Sequence, residues 1–161
     1  MKHSRSRSKS KTLSNTNEDL ETILITAIND EYLAKAKYEE AFKLFGRRTP
    51  FFNIRKAEAR HAQALTPLVD KYCTQEPDKN PSVDVPNIYQ DALLIAIKGE
   101  CETCRMYIAN LKNEVIDPYD DVKKVFQNLL EATIQHYKKF CEVYEDNFGS
   151  IPDEYECNEI E

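Results

Sequence analysis

Apolar residues recur three, four and seven apart along four stretches of the chain, the spacing that lines one face of an α-helix. On the first stretch Leu24, Ala27, Ile28, Ala34, Tyr38 and Phe42 share a face, and on the third Leu93, Ala96, Ile97, Cys104, Tyr107 and Leu111 do. The first predicted helix starts after Thr16, where Thr16 and Asp19 are spaced like a capping box, and stops at Gly46. The second starts at Pro50 with Thr49 as its cap and runs to about Cys73, with a kink expected at Pro67. A third helix is predicted over about 88–112 and a fourth over about 120–147, ahead of Gly149. Residues 74–87 hold three prolines and read as an irregular connection.

Composition narrows the fold class without changing it. A chain of 161 residues with 41% hydrophobic content can bury one core, and three glycines are too few for a sandwich or barrel. An all-α bundle in a single domain is expected, over residues 17–148. No apolar run approaches the roughly 20 residues that cross a bilayer, and the first residues lack the apolar stretch of a secretory signal, so a cytoplasmic protein is expected. The net charge of −6 argues against specific nucleic-acid binding. That charge hides a polarity, because residues 1–16 carry five bases and no acid while residues 149–161 carry five acids and no base. Both segments are expected to be disordered, solvated tails, the basic one also a candidate phosphorylation target. Five cysteines at irregular spacing suit reduced thiols. Cys101 and Cys104, three apart on one helix, are not expected to bond to each other, because regular helix supplies disulfide geometry poorly.

An internal repeat carries the chemistry. Leu24-Ile-Thr-Ala-Ile-Asn-Asp-Glu31 aligns without gaps on Leu93-Leu-Ile-Ala-Ile-Lys-Gly-Glu100, and Tyr38 then falls on Tyr107. In the second helices Phe51, Asn53, Ile54, Ala57 and His61 fall on Phe126, Asn128, Leu129, Ala132 and His136. The chain therefore reads as a duplicated helical hairpin. Glu31 and Glu100 each sit within an apolar stripe, where an unpaired carboxylate costs several kcal/mol. Glu58 and His61 share the core face of the second helix with Ile54, Leu65 and Leu68, and His136 stands at the matching point of the fourth. Three carboxylates and two imidazoles aimed at one core are satisfied together by a metal ion: iron, manganese or zinc. Salt bridges among them are the plainer reading, since a lone Glu-x-x-His is common on helices.

Segments such as INDEYLAKAKYEEAFKLFG, PFFNIRKAEARHAQAL and FQNLLEATIQHYKKF resemble the ferritin-like superfamily near its rubrerythrin and erythrin branch, and most of all the small family designated domain of unknown function 2202. The resemblance covers about residues 20–145. It implies a four-helix bundle of two hairpins whose second and third helices run parallel, joined by a long crossover. Residues 74–87, at about 3.3 Å each, reach roughly 46 Å, enough to pass a helix of about 30 Å. The resemblance further implies a two-iron site held by Glu31, Glu58, His61, Glu100 and His136, and an oxidoreductase of peroxide or dioxygen served by an outside electron donor. A homodimer is compatible with it; nothing identifies the assembly surfaces of a storage cage. Tyr38 and Tyr107 would be the tyrosines beside the metals, where a phenol can hydrogen-bond a carboxylate or supply an electron; core packing explains them equally well. Thr133 departs from the pattern, standing where a second bridging Glu belongs. Neighbouring Glu131 lies too far around the helix to replace it. A single metal, or a helical binding or scaffold protein with a vestigial site, is the alternative.

Overall fold

The computed structural model describes residues 9–160, with side chains from Leu20 onward. Four helices follow one another: α1 (Lys9–Phe45), α2 (Phe51–Tyr72), α3 (Tyr89–Leu111) and α4 (Asp120–Phe148). α1 ends where Gly46 takes φ +88°, a left-handed conformation that glycine adopts without penalty, and its N–H bonds the Phe42 carbonyl at 2.8 Å. α2 continues through Pro67 to its end.

Four expectations need correction. The helical backbone of α1 begins at Lys9, not after Thr16, because no glycine or proline interrupts the basic segment. Residues 1–8 of the expected basic tail lie outside the described residues. Thr49 does not cap α2; its hydroxyl turns back to donate to the Gly46 carbonyl at 2.8 Å. The acidic segment after Gly149 is folded: it makes 3-10 turns at Asp153–Tyr155 and Asn158–Ile160, and a disulfide joins Cys157 to Cys101 of α3. Cys73, Cys104 and Cys141 remain free thiols, so the expected set of reduced cysteines loses Cys101 and Cys157. Cys101 and Cys104 are not bonded to each other, as their helical spacing requires.

Cross-helix contacts fix the directions of the helices. Tyr38 meets Glu100 while Tyr107 meets Glu31, so α1 and α3 are antiparallel. Phe45 packs on Phe51 and Glu31 meets His61, so α1 and α2 are antiparallel. Phe51 packs on Phe140 whereas Tyr72 bonds Asp121, which sets α4 against α2. α2 and α3 therefore run parallel, and residues between them cross the length of the bundle. The crossing lies along α1: Glu21 accepts from the amides of Thr74 (2.8 Å) and Gln75 (2.6 Å), Asn29 accepts from Asp78 (2.8 Å), and Val85 packs against the core cluster that holds Tyr38 and Ala41.

The core divides into two clusters. One holds Leu24, Ile28, Leu65, Tyr107, Phe126 and Leu129; the other holds Leu93, Ile97, Ile54, Tyr38, Phe51 and Phe140. Repeat mates thus fall in opposite clusters, Leu24 against Leu93 and Tyr38 against Tyr107, as a two-fold relation between the hairpins demands. The aromatic packing repeats as well, with Tyr38 on Phe51 at 5.8 Å between ring centres and Tyr107 on Phe126 at 5.3 Å.

Candidate metal centre

Each hairpin carries one buried carboxylate on its first helix, and a tyrosine of the other hairpin holds it. Tyr38 donates to Glu100 Oε1 and Tyr107 donates to Glu31 Oε1, both at 2.6 Å. Two helical turns separate each Glu from the Tyr on its own helix, so antiparallel pairing of α1 with α3 exchanges the partners. Both phenols have their ionisation pushed well above the ordinary tyrosine value, first by burial and then by the facing carboxylates. They remain donors throughout the physiological range.

Glu58 lies at the centre. Its Oε2 meets His61 Nδ1 at 3.1 Å and its Oε1 meets His136 Nδ1 at 3.1 Å. Glu31 Oε2 approaches His61 Nδ1 at 3.2 Å, and Glu100 Oε1 lies 3.8 Å from His136 Nδ1. The two imidazoles stack with ring centres 5.2 Å apart and planes at 13°. Ligand atoms of Glu58, His61 and His136 all fall within 4.8 Å of one another. The expected five residues are therefore brought together, Glu31 and Glu100 on opposite flanks of Glu58. Thr133 is buried in α4, but its hydroxyl proton is committed to the Leu129 carbonyl at 2.7 Å. Glu131 is exposed and takes no part.

The carboxylates and imidazoles of the cluster shift one another's proton affinity. Burial pushes Glu58 well above the usual carboxylate range, reinforced by the hydrogen bond it shares with Glu31. Burial likewise raises Glu100, with the Glu58 charge adding to it. For Glu31 burial works upward, but hydrogen bonds with Glu58, His61 and Tyr107 outweigh it and hold the group below its ordinary value. Burial acts downward on His61, yet the Glu31 and Glu58 carboxylates beside it take it up to about 10. His136, for which burial dominates, is lowered. No lysine or arginine forms an ion pair with Glu31, Glu58 or Glu100 among the described residues; His61, raised to about 10, is the cation beside Glu31 and Glu58.

The sequence did not announce two neighbouring features. Thr103 of α3 donates to Asp30 of α1 at 2.6 Å, next to Glu31 in the chain but on the outer side of the helix pair. These residues are 73 apart, and only the register between α1 and α3 reveals the contact. Cys101, Cys157 and Glu159 also bring ligand atoms together, but the two sulfurs are bonded to each other and offer no metal site.

Residues 20–160 match the model of a family described as an uncharacterized protein domain, DUF2202, and the chain belongs to that family. No curated protein and no solved structure matches it. No helix among the described residues is long and apolar enough to cross a membrane.

Proposed function

We propose that this DUF2202 member is a ferritin-like metal protein in which Glu31, Glu58, His61, Glu100 and His136 hold two iron ions, and that it is an oxidoreductase acting on peroxide or dioxygen. The observation that carries the reading is Glu58, which places one carboxylate oxygen on each of two histidines, while Glu31 stands 3.2 Å from the first of them and Glu100 3.8 Å from the second. A carboxylate so placed would be available to metal ions held on either side. The donor set of carboxylate oxygens and imidazole nitrogens fits iron, with manganese and zinc as alternatives, and offers no thiolate to select a softer metal.

An iron pair in this cradle would supply the electrons for reduction of an O–O bond. The chain itself does the rest. Tyr38 and Tyr107 fix the orientation of Glu100 and Glu31 by donating to them, as groups around metal ligands commonly do. The apolar clusters on either side exclude bulk water. The proton held by His61, taken up to about 10 by the carboxylates beside it, would leave as metal enters. The disulfide favours an oxidising compartment over the cytoplasmic placement expected from the sequence.

A second reading is a helical binding or scaffold protein with a mononuclear or vestigial site, and Thr133 favours it by leaving one bridging carboxylate missing. Anaerobic titration of the metal-free protein with ferrous iron separates the readings. About two equivalents bound, with peroxide consumed by the reduced protein, supports the first. One equivalent, or none, supports the second.

A further inference from the structure

Exposed apolar side chains gather toward one end of the bundle. Among the described residues the large hydrophobic side chains left exposed are Leu44, Ile88, Ile95 and Phe148. Leu44 lies in the last turn of α1 and Phe148 ends α4, while Ile88 precedes the first turn of α3 and Ile95 stands two turns along it. Phe45 and Phe148 both pack on Tyr89, at 5.3 and 6.2 Å between ring centres, so these helix ends meet. Ile95 also edges the groove between α1 and α3, which Ala34, Ala41, Ala92 and Ala96 line. Apolar surface gathered in this way and rimmed by charge marks a protein contact.

The charges on the outer stripe of α3 say which partner fits. Seven before, four before, three after and seven after Ile95 stand Ile88, Asp91, Lys98 and Glu102, all exposed. Such spacings stack on one side of a helix. Neither Asp91, Lys98 nor Glu102 takes part in an ion pair among the described residues, and neither does the exposed Arg48. An acid before the centre and a base after it make the stripe complementary to itself when a copy is laid on it antiparallel, with Ile95 at the two-fold axis. Each Asp91 then comes beside the other copy's Lys98. Glu102 falls level with the other copy's Ile88, at the end of the bundle where Arg48 stands: burial raises the Tyr89 phenol and the Arg48 charge opposes it. A parallel pairing would set Asp91 on Asp91 and Lys98 on Lys98, which like charges oppose.

We infer that the outer face of α3 is a homodimer interface, in which two copies pack antiparallel about Ile95, with Asp91 paired to Lys98 and Glu102 to Arg48 of the other copy. Pairing on this face covers the α1–α3 groove, where Tyr38, the residue that holds Glu100, is a wall. The interface uses none of the five proposed ligands and stands apart from the metal-centre reading.

Sedimentation velocity of the metal-free full-length protein, over a wide range of concentration, tests the assignment. A monomer–dimer equilibrium is expected, weakened at least tenfold by Ile95→Glu, by Asp91→Lys and by Lys98→Asp. All three positions are exposed, so helicity by circular dichroism should not change, and iron stoichiometry in Ile95→Glu should match the wild type. The double variant Asp91→Lys/Lys98→Asp restores opposite signs across the antiparallel pair, and its dimer should recover most of the wild-type affinity. A monomer at every concentration overturns the inference. So does a dimer that the single charge reversals leave intact, or a double variant no stronger than the singles. Failure of iron to bind would sink the metal reading and leave this face as it is.

Discussion

Glu58 divides its two oxygens between His61 and His136, whereas Glu31 and Glu100 each face one histidine. Removing the shared group should therefore harm both positions, and removing a flanking one should harm chiefly its own. Glu58→Ala is expected to abolish iron binding by elemental analysis; Glu31→Ala is expected to leave about one equivalent. Retention of two equivalents in Glu58→Ala would contradict the bridging role. Tyr107→Phe removes only a hydroxyl that orients Glu31, so a loss of about 10–100-fold in iron affinity with unchanged helicity is expected. The protons of the site give a signed pH effect. His61 is raised in the fold from its ordinary 6.5 to about 10, so between pH 7 and 8.5 the folded metal-free protein holds a proton there that the unfolded chain has lost. Its stability should fall as pH rises through that window. The lowered His136 opposes this only near its ordinary value of 6.5. Iron bound at His61 must displace that proton, so its affinity should rise over the same range. Thermal melts of the metal-free protein that stay level or rise from pH 7 to 8.5 would show that His61 does not hold that proton.

Among the elements, the crossover is the one that makes the helix order possible, and Glu21 anchors its start. The Thr74 and Gln75 amides both converge on a single Glu21 oxygen, and those bonds hold the carboxyl below its ordinary value, the two backbone donors being the main cause. Glu21→Ala should speed hydrogen exchange at Thr74 and Gln75 while the centres of α2 and α3 keep wild-type protection. Uniform acceleration would instead mean that the anchor supports the whole bundle. The crossover also marks how far the sequence could be read. Its length and prolines pointed to an extended path, and the repeat of Glu31 at Glu100 and of His61 at His136 pointed to the cluster, because identical residues at one helical spacing must share a face. Three helix ends were legible from Gly46, Pro50 and Gly149, which stop or start helices for local reasons. The start of α1 was not, since the Thr16 and Asp19 pair has the spacing of a cap yet lies within continuing helix. Nor was the contact of Asp30 with Thr103, which depends on the register of two helices not adjacent in sequence.

For the molecule as a whole, the segment after α4 turns a four-helix bundle into a closed one. Charge suggested a solvated tail, but Ile151 and Tyr155 pack on the core cluster of Tyr38 and Phe140, and the Cys157 amide donates to the Tyr137 hydroxyl at 3.0 Å. The exposed Arg105–Glu159 pair at 2.9 Å adds little, as surface ion pairs do. The covalent tie between Cys101 and Cys157 dominates, spanning 56 residues with Cα atoms 5.7 Å apart. A loop of that size restricts the unfolded chain, and its removal should lower stability by about 2–4 kcal/mol. Cys157→Ser should accordingly shift the urea midpoint downward, with fast exchange confined to residues after Gly149 under native conditions. Iron stoichiometry should not change, because Cys101 contributes no ligand and Glu100 is held by Tyr38. Alkylation in denaturant without reductant, read by mass, should label Cys73, Cys104 and Cys141 and spare the other two. Five labelled cysteines in freshly purified protein, together with a urea midpoint unchanged in Cys157→Ser, would show that noncovalent packing alone holds the segment against α3.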